Sequence, residues 1–195
     1  PVRIISNRSS GKMGFALAWE AFARGAEVTM IYGPTQLPLP VNIENILAPT
    51  AADMFREVKK RFKKSDFYIS AAAISDYRPT EFSKNKLKKQ NKNISLTLRP
   101  TEDILKYVGS HRLKTQKLIG FAVETENAEQ NARSKLLSKN IDMIVLNNPL
   151  QKGAGFDIDT NQVSIFHKNG NSENLSLLPK LDTAFQIFRF LLQNQ

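Results

Sequence analysis

Ile4-Ile5-Ser6-Asn7-Arg8-Ser9-Ser10-Gly11-Lys12-Met13-Gly14 follows a short apolar run, Val2 to Ile5, and opens an alanine-rich amphipathic segment. That pattern reads as strand, tight loop, helix. Such a loop presents free backbone N–H groups at the start of a helix, where the dipole favours an anion. Ser9 and Ser10 are the expected N-cap residues, and Gly11 and Gly14 permit close backbone approach to a ligand or to the neighbouring strand. Phosphate is the natural guest; the plain structural alternative is a glycine-containing turn that only packs helix on sheet. The nicotinamide fingerprint G-x-G-x-x-G needs glycine where Ser9 stands, and the nucleotide P-loop pattern is missing as well. Thr29-Met30-Ile31-Tyr32 also runs into Gly33-Pro34 without the carboxylate that holds a ribose in dinucleotide sites.

Working outward, the chain alternates strand and helix patterns. Phe15, Ala16, Trp19, Phe22 and Ala23 mark the inner face of the first helix, with Trp19 expected in the core. Strands are expected at Glu27 to Tyr32 and Val41 to Leu47, then a helix capped by Thr50 through Met54, Phe55, Val58 and Phe62. A fourth strand, Asp66 to Ala73, leaves on the small residues Ala71-Ala72-Ala73, followed by Ser75-Asp76-Tyr77. Ligands of open α/β sheets sit beyond the carboxyl ends of the strands, so small residues there leave room for one. Asp76 is either an acceptor for a hydroxyl or exocyclic amine or a turn-forming Asp.

Ile94 to Leu98 reads as a strand or hairpin arm, and Thr101 as the N-cap of a helix burying Leu105 and Val108. Strand Lys117 to Phe121, helix Asn127 to Lys139 and strand Met143 to Leu146 follow, with Ala128, Ala132, Leu136 and Leu137 turned inward. Gly153-Ala154-Gly155-Phe156 is too glycine-rich for regular structure and is expected as a mobile or closing loop. Val163, Ile165 and a half-exposed His167 then lead through Lys168-Asn169-Gly170-Asn171 into a hairpin. A final helix is expected to bury Leu178, Leu181, Phe185, Phe188 and Leu192. The fold class is therefore α/β: one Rossmann-like, doubly wound, mainly parallel sheet over residues 1–195, with a C-terminal antiparallel hairpin and closing helix.

Composition narrows the chemistry. The chain lacks cysteine and has only His111 and His167, which excludes thiolate chemistry and disfavours a histidine-rich metal centre. No apolar run is long enough to span a membrane, and a cytoplasmic protein is expected. The net charge of +10 points to anionic partners. Part of it lies in Arg56, Lys59, Lys60, Arg61, Lys63 and Lys64, at helical spacing, and part in Lys84, Lys86, Lys88, Lys89 and Lys92, within a flexible strap over about 79–93. Aromatics do not interleave with these lysines as a stacking surface for bases requires, so nucleic acid is the weaker partner.

Taken together, the opening stretch, Ala71-Ala72-Ala73 with Ser75-Asp76-Tyr77, Lys86-Leu87-Lys88-Lys89 and Gly120-Phe121-Ala122-Val123-Glu124-Thr125 stand in the order and spacing of phosphopantothenate-cysteine ligase. The chain closely resembles the bacterial form of that family over nearly its whole length; that form is usually the C-terminal half of a bifunctional flavoprotein of coenzyme A biosynthesis. The resemblance implies a CTP-dependent ligation of 4'-phosphopantothenate to cysteine through an acyl-cytidylate, with Mg2+ on the triphosphate and no flavin in this domain. It implies that Asn7 and Lys86 are the catalytic pair and also bind the acyl substrate. Arg3 and Ala72 join them there, and Ser9, Ser10, Gly11, Ala72, Ala73, Asp76, Glu102, Asp103, Ile104, Phe121, Lys135 and Lys139 meet the nucleotide. It further implies a homodimer whose lysine strap reaches the neighbouring site. The chain begins at Pro1-Val2-Arg3 without an initiating Met, so an excised or truncated domain is expected, with a decarboxylase half upstream whose activity is not assigned to this chain. The competing readings are a nicotinamide-dependent oxidoreductase, which Ser9 and the missing acid after Tyr32 disfavour, and a basic nucleic-acid-binding module, which charge alone supports.

Overall fold

The computed structural model of the protein describes residues 5–81, 93, 95–147 and 158–194. In chain order the elements are α1 (Lys12–Ala23), β1 (Thr29–Tyr32), β2 (Glu44–Leu47), α2 (Ala51–Arg61, continued by a 3-10 turn at Phe62–Lys64), β3 (Phe67–Ser70), β4 (Tyr77–Pro79), β5 (Leu98–Pro100), α3 (Ile104–His111), β6 (Lys117–Val123), α4 (Ala128–Ser138), β7 (Met143–Asn147), β8 (Thr160–Asn161), β9 (Val163–His167), β10 (Ser172–Asn174), β11 (Leu178–Pro179) and α5 (Lys180–Gln193). The central sheet runs β10-β9-β7-β6-β3. β3, β6 and β7 are parallel, and β9 and β10 continue antiparallel from β7. β1 and β2 form their own parallel pair, and β4 and β5 a short antiparallel one. The strand read at Val2 to Ile5 lies outside the described residues except for Ile5, which is exposed and irregular.

Strand alternation sorts the core into two layers, which makes the sheet doubly wound. Leu118, Ala122, Ile144 and Leu146 pack with Val58 of α2, Leu105 of α3 and Leu136 of α4 on one face. Ile119, Met143, Val145 and Ile165 pack with Leu17 of α1 and Ile187 of α5 on the other. Each large side chain so buried contributes about 1.5–3 kcal/mol. At the amino end of β7 the fully buried Asp142 ties the sheet together. It accepts from the Leu118 amide at 2.7 Å and pairs with Arg112 at 2.7 Å and Lys168 at 2.5 Å. Burial pushes the Asp142 carboxyl up, but Lys168, the Leu118 amide and Arg112 together hold it below its usual 3.8.

Local chemistry explains several departures from the sequence reading. Thr50 caps α2 as expected, accepting from the Asp53 amide at 3.1 Å. The cap of α3, however, is Asp103, whose carboxylate takes the Lys106 amide at 3.0 Å. Thr101 instead spends its hydroxyl on the Ser75 carbonyl at 2.5 Å. Trp19 is 41 % exposed and meets Phe22 edge-on, because Ala16, Leu17 and Ala18 carry the close packing of α1. Leu137 is exposed, and His167 is buried, with its Nδ1 accepting the Asn169 amide of the hairpin turn at 3.3 Å. In α5 the buried stripe is Ala184, Ile187, Phe188 and Leu191, at i, i+3, i+4 and i+7; Leu181, Phe185 and Leu192 remain exposed. The small Ala184 suits the stripe that sits closest to the sheet. The glycine-rich segment at 153–156 lies outside the described residues.

Candidate active site

The carboxyl ends of β3 and β6 carry most of the residues singled out from the sequence. β3 ends at Ser70 and leaves through Ala71, Ala72 and Ala73 in irregular backbone. Gly14, in the first turn of α1, faces Ala71: a Cβ at Gly14 would stand 4.0 Å from the Ala71 Cβ, so helix and strand exit meet at ordinary contact distance. Asn7 spans the same gap, its Nδ2 donating to the Ile74 carbonyl at 3.2 Å. The opening loop and the β3 exit are thus one structure.

The start of α1 is set by backbone. Gly11 is the N-cap residue, at φ 78 in the left-handed region, and no side chain caps the helix. The expected caps act one residue out of place: Ser9 Oγ accepts from the Gly11 amide at 3.4 Å and Ser10 Oγ from the Lys12 amide at 3.5 Å. A glycine is required at position 11 because its left-handed φ strains any L side chain. The resulting turn lies at the positive end of a 12-residue helix, a setting suited to anionic oxygens. Lys12 turns from this end to Asp159, 2.6 Å away, and that charge contact holds the exposed Asp159 carboxyl below its usual value.

A second group lies where α3 begins. The Asp76 carbonyl accepts the Thr101 amide at 2.9 Å, which fixes the Asp76 loop against the segment leading into α3; the Asp76 side chain is exposed. Glu102 is exposed and 3.7 Å from Arg78, Asp103 caps the helix, and Ile104 is buried beneath it. Lys139 reaches Asp103 at 3.2 Å, and Lys135, one turn earlier on α4, reaches Glu124 at 2.5 Å. Phe121 is half-buried on β6, on the α1 side of the sheet. Burial raises the nearby Tyr68 phenol to about 12, partly opposed by Ser70 and helped by the Asp103 charge, so it is a neutral hydroxyl at physiological pH.

Asn7, Ser9, Ser10, Gly11, Ala72 and Ala73 therefore converge at the first strand exit. Asp76, Glu102, Asp103, Ile104 and Lys139 gather around the start of α3, with Lys135 above them at the end of β6. Arg3 and Lys86 lie outside the described residues. The carboxylate partners of the two lysines were missed from sequence. Glu124 stood inside a quoted motif, but only the fold brings it across to Lys135. Among the described residues no group of three His, Cys, Asp or Glu side chains is placed to hold a metal ion, and no helix is long and apolar enough to cross a membrane.

A family model described as "DNA/pantothenate metabolism flavoprotein C-terminal domain" matches residues 1–194. The chain is 44 % identical over 190 residues to the coenzyme A biosynthesis bifunctional protein CoaBC of Bacillus subtilis, covering 97 % of this chain and 47 % of that protein. It is also 44 % identical over 193 residues to a cysteine/cysteine sulfinic acid decarboxylase from an unknown prokaryotic organism, covering 98 % of this chain and 54 % of that one. The chain thus spans about half the length of the curated relatives it matches. The crystal structure of the C-terminal domain of a CoaBC protein superposes with a TM-score of 0.82 at 36 % identity, covering 100 % of this chain and 89 % of that one. The Cab2 mutant H337A in complex with phosphopantothenate-cysteine shares the fold, with a TM-score of 0.69 at 17 % identity over 90 % of this chain and 74 % of that one.

Proposed function

Because the chain belongs to the DNA/pantothenate metabolism flavoprotein C-terminal domain family, we propose that it joins 4'-phosphopantothenate to L-cysteine in coenzyme A biosynthesis. The observation that carries this reading is the match to CoaBC across 97 % of the chain. The phosphopantothenate-cysteine bound to the fold relative Cab2 adds the ligand class.

The chemistry suits a site with no protein nucleophile. The substrate carboxylate attacks the α-phosphate of CTP, forming a P–O bond and expelling pyrophosphate. The cysteine amine then attacks the acyl carbon, the C–O bond to CMP breaks, and an amide remains. Such a reaction requires two anions held in line with their charge neutralised. The start of α1, expected from the sequence to meet the nucleotide, here supplies backbone N–H groups for the phosphate of the acyl substrate instead, while Lys135 and Lys139 supply charge for the triphosphate once they exchange Glu124 and Asp103 for it. Asn7, already donating to a carbonyl, is the amide donor at the acyl group. Asp76, with Ala72 and Ala73, accepts from the nucleotide base. When bound with the nucleotide, Mg2+ would supply neutralisation of phosphate charge. Arg3 and the Lys86 strap complete the acyl site, the strap coming from the second copy of a homodimer in the cytoplasm.

Mass spectrometry of a mixture of protein, 4'-phosphopantothenate, cysteine, Mg2+ and either CTP or ATP tests the proposal. Formation of 4'-phosphopantothenoylcysteine faster with CTP supports it. Faster formation with ATP overturns the nucleotide assignment alone, and no product with either overturns the reading.

A further inference from the structure

Two buried carboxamides near the carboxyl end of β7 have no assigned role. Asn147 ends β7 and is 8 % exposed; Asn161 lies in β8 and is 4 % exposed. The side-chain Oδ1 of each has no hydrogen-bond partner among the described residues. A buried acceptor left in that condition costs about 1–3 kcal/mol, so a fold that keeps two of them near one strand end has a use for a donor there.

Their placement follows from the register. Asn147 pairs with Val163, and Asn161 stands two residues earlier in the separate β8–β11 pair, where the buried alternation of Asn161, Val163 and Ile165 carries it onto the face that Asn147 shares. That face is the one on which Met143 and Val145 pack with α1 and α5. Asn161 Nδ2 lies 3.8 Å from the Met13 sulfur, which puts its amide directly against the first turn of α1. Phe121 and Ala71 stand on the same face, toward β3. The result is a row along the carboxyl edge in which an apolar wall gives way to two acceptors.

We propose that Asn147 and Asn161 are specificity-determining residues for the acyl substrate, their carbonyl oxygens accepting from its internal hydroxyl and amide N–H. This rests on the ligase reading given above. 4'-Phosphopantothenate carries a phosphate at one end, a carboxylate at the other, and between them one hydroxyl and one amide N–H. With the phosphate drawn to the start of α1, the middle of the molecule crosses the row, its two donors meeting two acceptors. A site that buries acceptors for particular donors discriminates against analogues lacking them, because the acceptors are then desolvated and unpaired.

The test compares 4'-phosphopantothenate with its deoxy analogue, in which the hydroxyl is replaced by hydrogen, on the wild-type protein and on Asn147→Leu and Asn161→Leu, reading steady-state pyrophosphate release. Wild type is expected to show a KM about tenfold higher for the analogue. One of the two variants is expected to raise the KM for the natural substrate by about the same factor and to treat both acids alike, with kcat and the KM for CTP within about twofold of wild type. If a variant fails to fold, the wild-type comparison still decides: equal KM values for the two acids overturn the proposal while leaving the ligase intact. Variants that fold but keep the wild-type discrimination overturn it as well, since the acceptors would then be satisfied by water. A wild-type protein that releases no pyrophosphate with the natural acid overturns the ligase reading and this proposal with it.

Discussion

Replacing Asp142 by alanine removes a carboxylate that three groups share at the base of the sheet, far from the strand exits. The Leu118 amide, 2.7 Å away and buried near the amino end of β6, loses its acceptor, which costs about 1–3 kcal/mol. Arg112, 11 % exposed, loses its charge partner but keeps the Gln116 and Asn140 carbonyls as acceptors. Lys168, 52 % exposed, rehydrates at little cost. Removing one member of a buried pair typically costs about 3–5 kcal/mol, and the retained acceptors and exposed lysine place this case near the middle, about 4 kcal/mol. For a domain of this size that lowers Tm by about 8–16 °C. Urea denaturation followed by circular dichroism measures it. Asp142→Asn keeps an acceptor for Leu118 and should lose about half as much. The sign with pH is fixed by the lowered carboxyl: its contribution is complete above the usual value of 3.8 and is lost as pH falls through the lower folded value. The gap between wild type and Asp142→Ala should therefore hold constant from neutral pH to about pH 5 and close only below 3.8. A loss under about 1 kcal/mol, or a gap that closes above pH 5, would refute the reasoning.

Three further outcomes are expected. Gly109→Ala places a Cβ 1.8 Å from the Lys139 carbonyl oxygen, a backbone atom that cannot swing away, so it should destabilise by about 3 kcal/mol despite the better helix former; a neutral or stabilising result in denaturant melts would show that α3 and α4 separate freely. Lys139→Ala should raise the KM for CTP about tenfold while changing stability by less than about 1 kcal/mol, because its Asp103 contact is a surface ion pair; a large stability loss with unchanged KM would make it structural. Mixing Asn7→Ala and Lys86→Ala proteins should recover part of the activity if the strap crosses a dimer, and demonstrated mixed dimers without recovery would place both residues in one chain's site.

The order of the elements was legible because their boundaries are written in short-range chemistry. Thr50 before an apolar 3.6-residue pattern, Asn169-Gly170 between alternating runs, and small residues at the β3 exit each report a local preference that the fold obeys. What failed were choices among equivalent faces. α5 is apolar on more than one side, so Leu181, Phe185 and Leu192 joined Phe188 in as good a stripe on paper as Ala184, Ile187 and Leu191 do; Phe188 is buried as expected, and only packing against α1 and the sheet selects its companions. Trp19 misled for the same reason: size suggested a core residue, while close helix packing used the alanines around it. Thr101 and Asp103 are both good N-caps two residues apart, and the Ser75 carbonyl settled which one faces the helix. In the site, residue types were legible and partners were not. Lys135 and Lys139 stood out by spacing, yet Glu124 and Asp103 reach them only through the crossover between β6 and β7. Asn147 and Asn161 carry no sequence signal beyond an asparagine at a strand end; their distinction is a buried Oδ1 with no partner among the described residues, which only the structure reveals.

The measurement closest to the central claim is a single turnover without cysteine. Protein in excess over CTP labelled at the α-phosphate is supplied with Mg2+ and 4'-phosphopantothenate, and pyrophosphate and label are followed together. About one pyrophosphate should be released per CTP, only when 4'-phosphopantothenate is present, with the label retained as an acyl-cytidylate until added cysteine discharges it as CMP. Pyrophosphate release that ignores the acid, or label appearing as CDP with free phosphate, would contradict it.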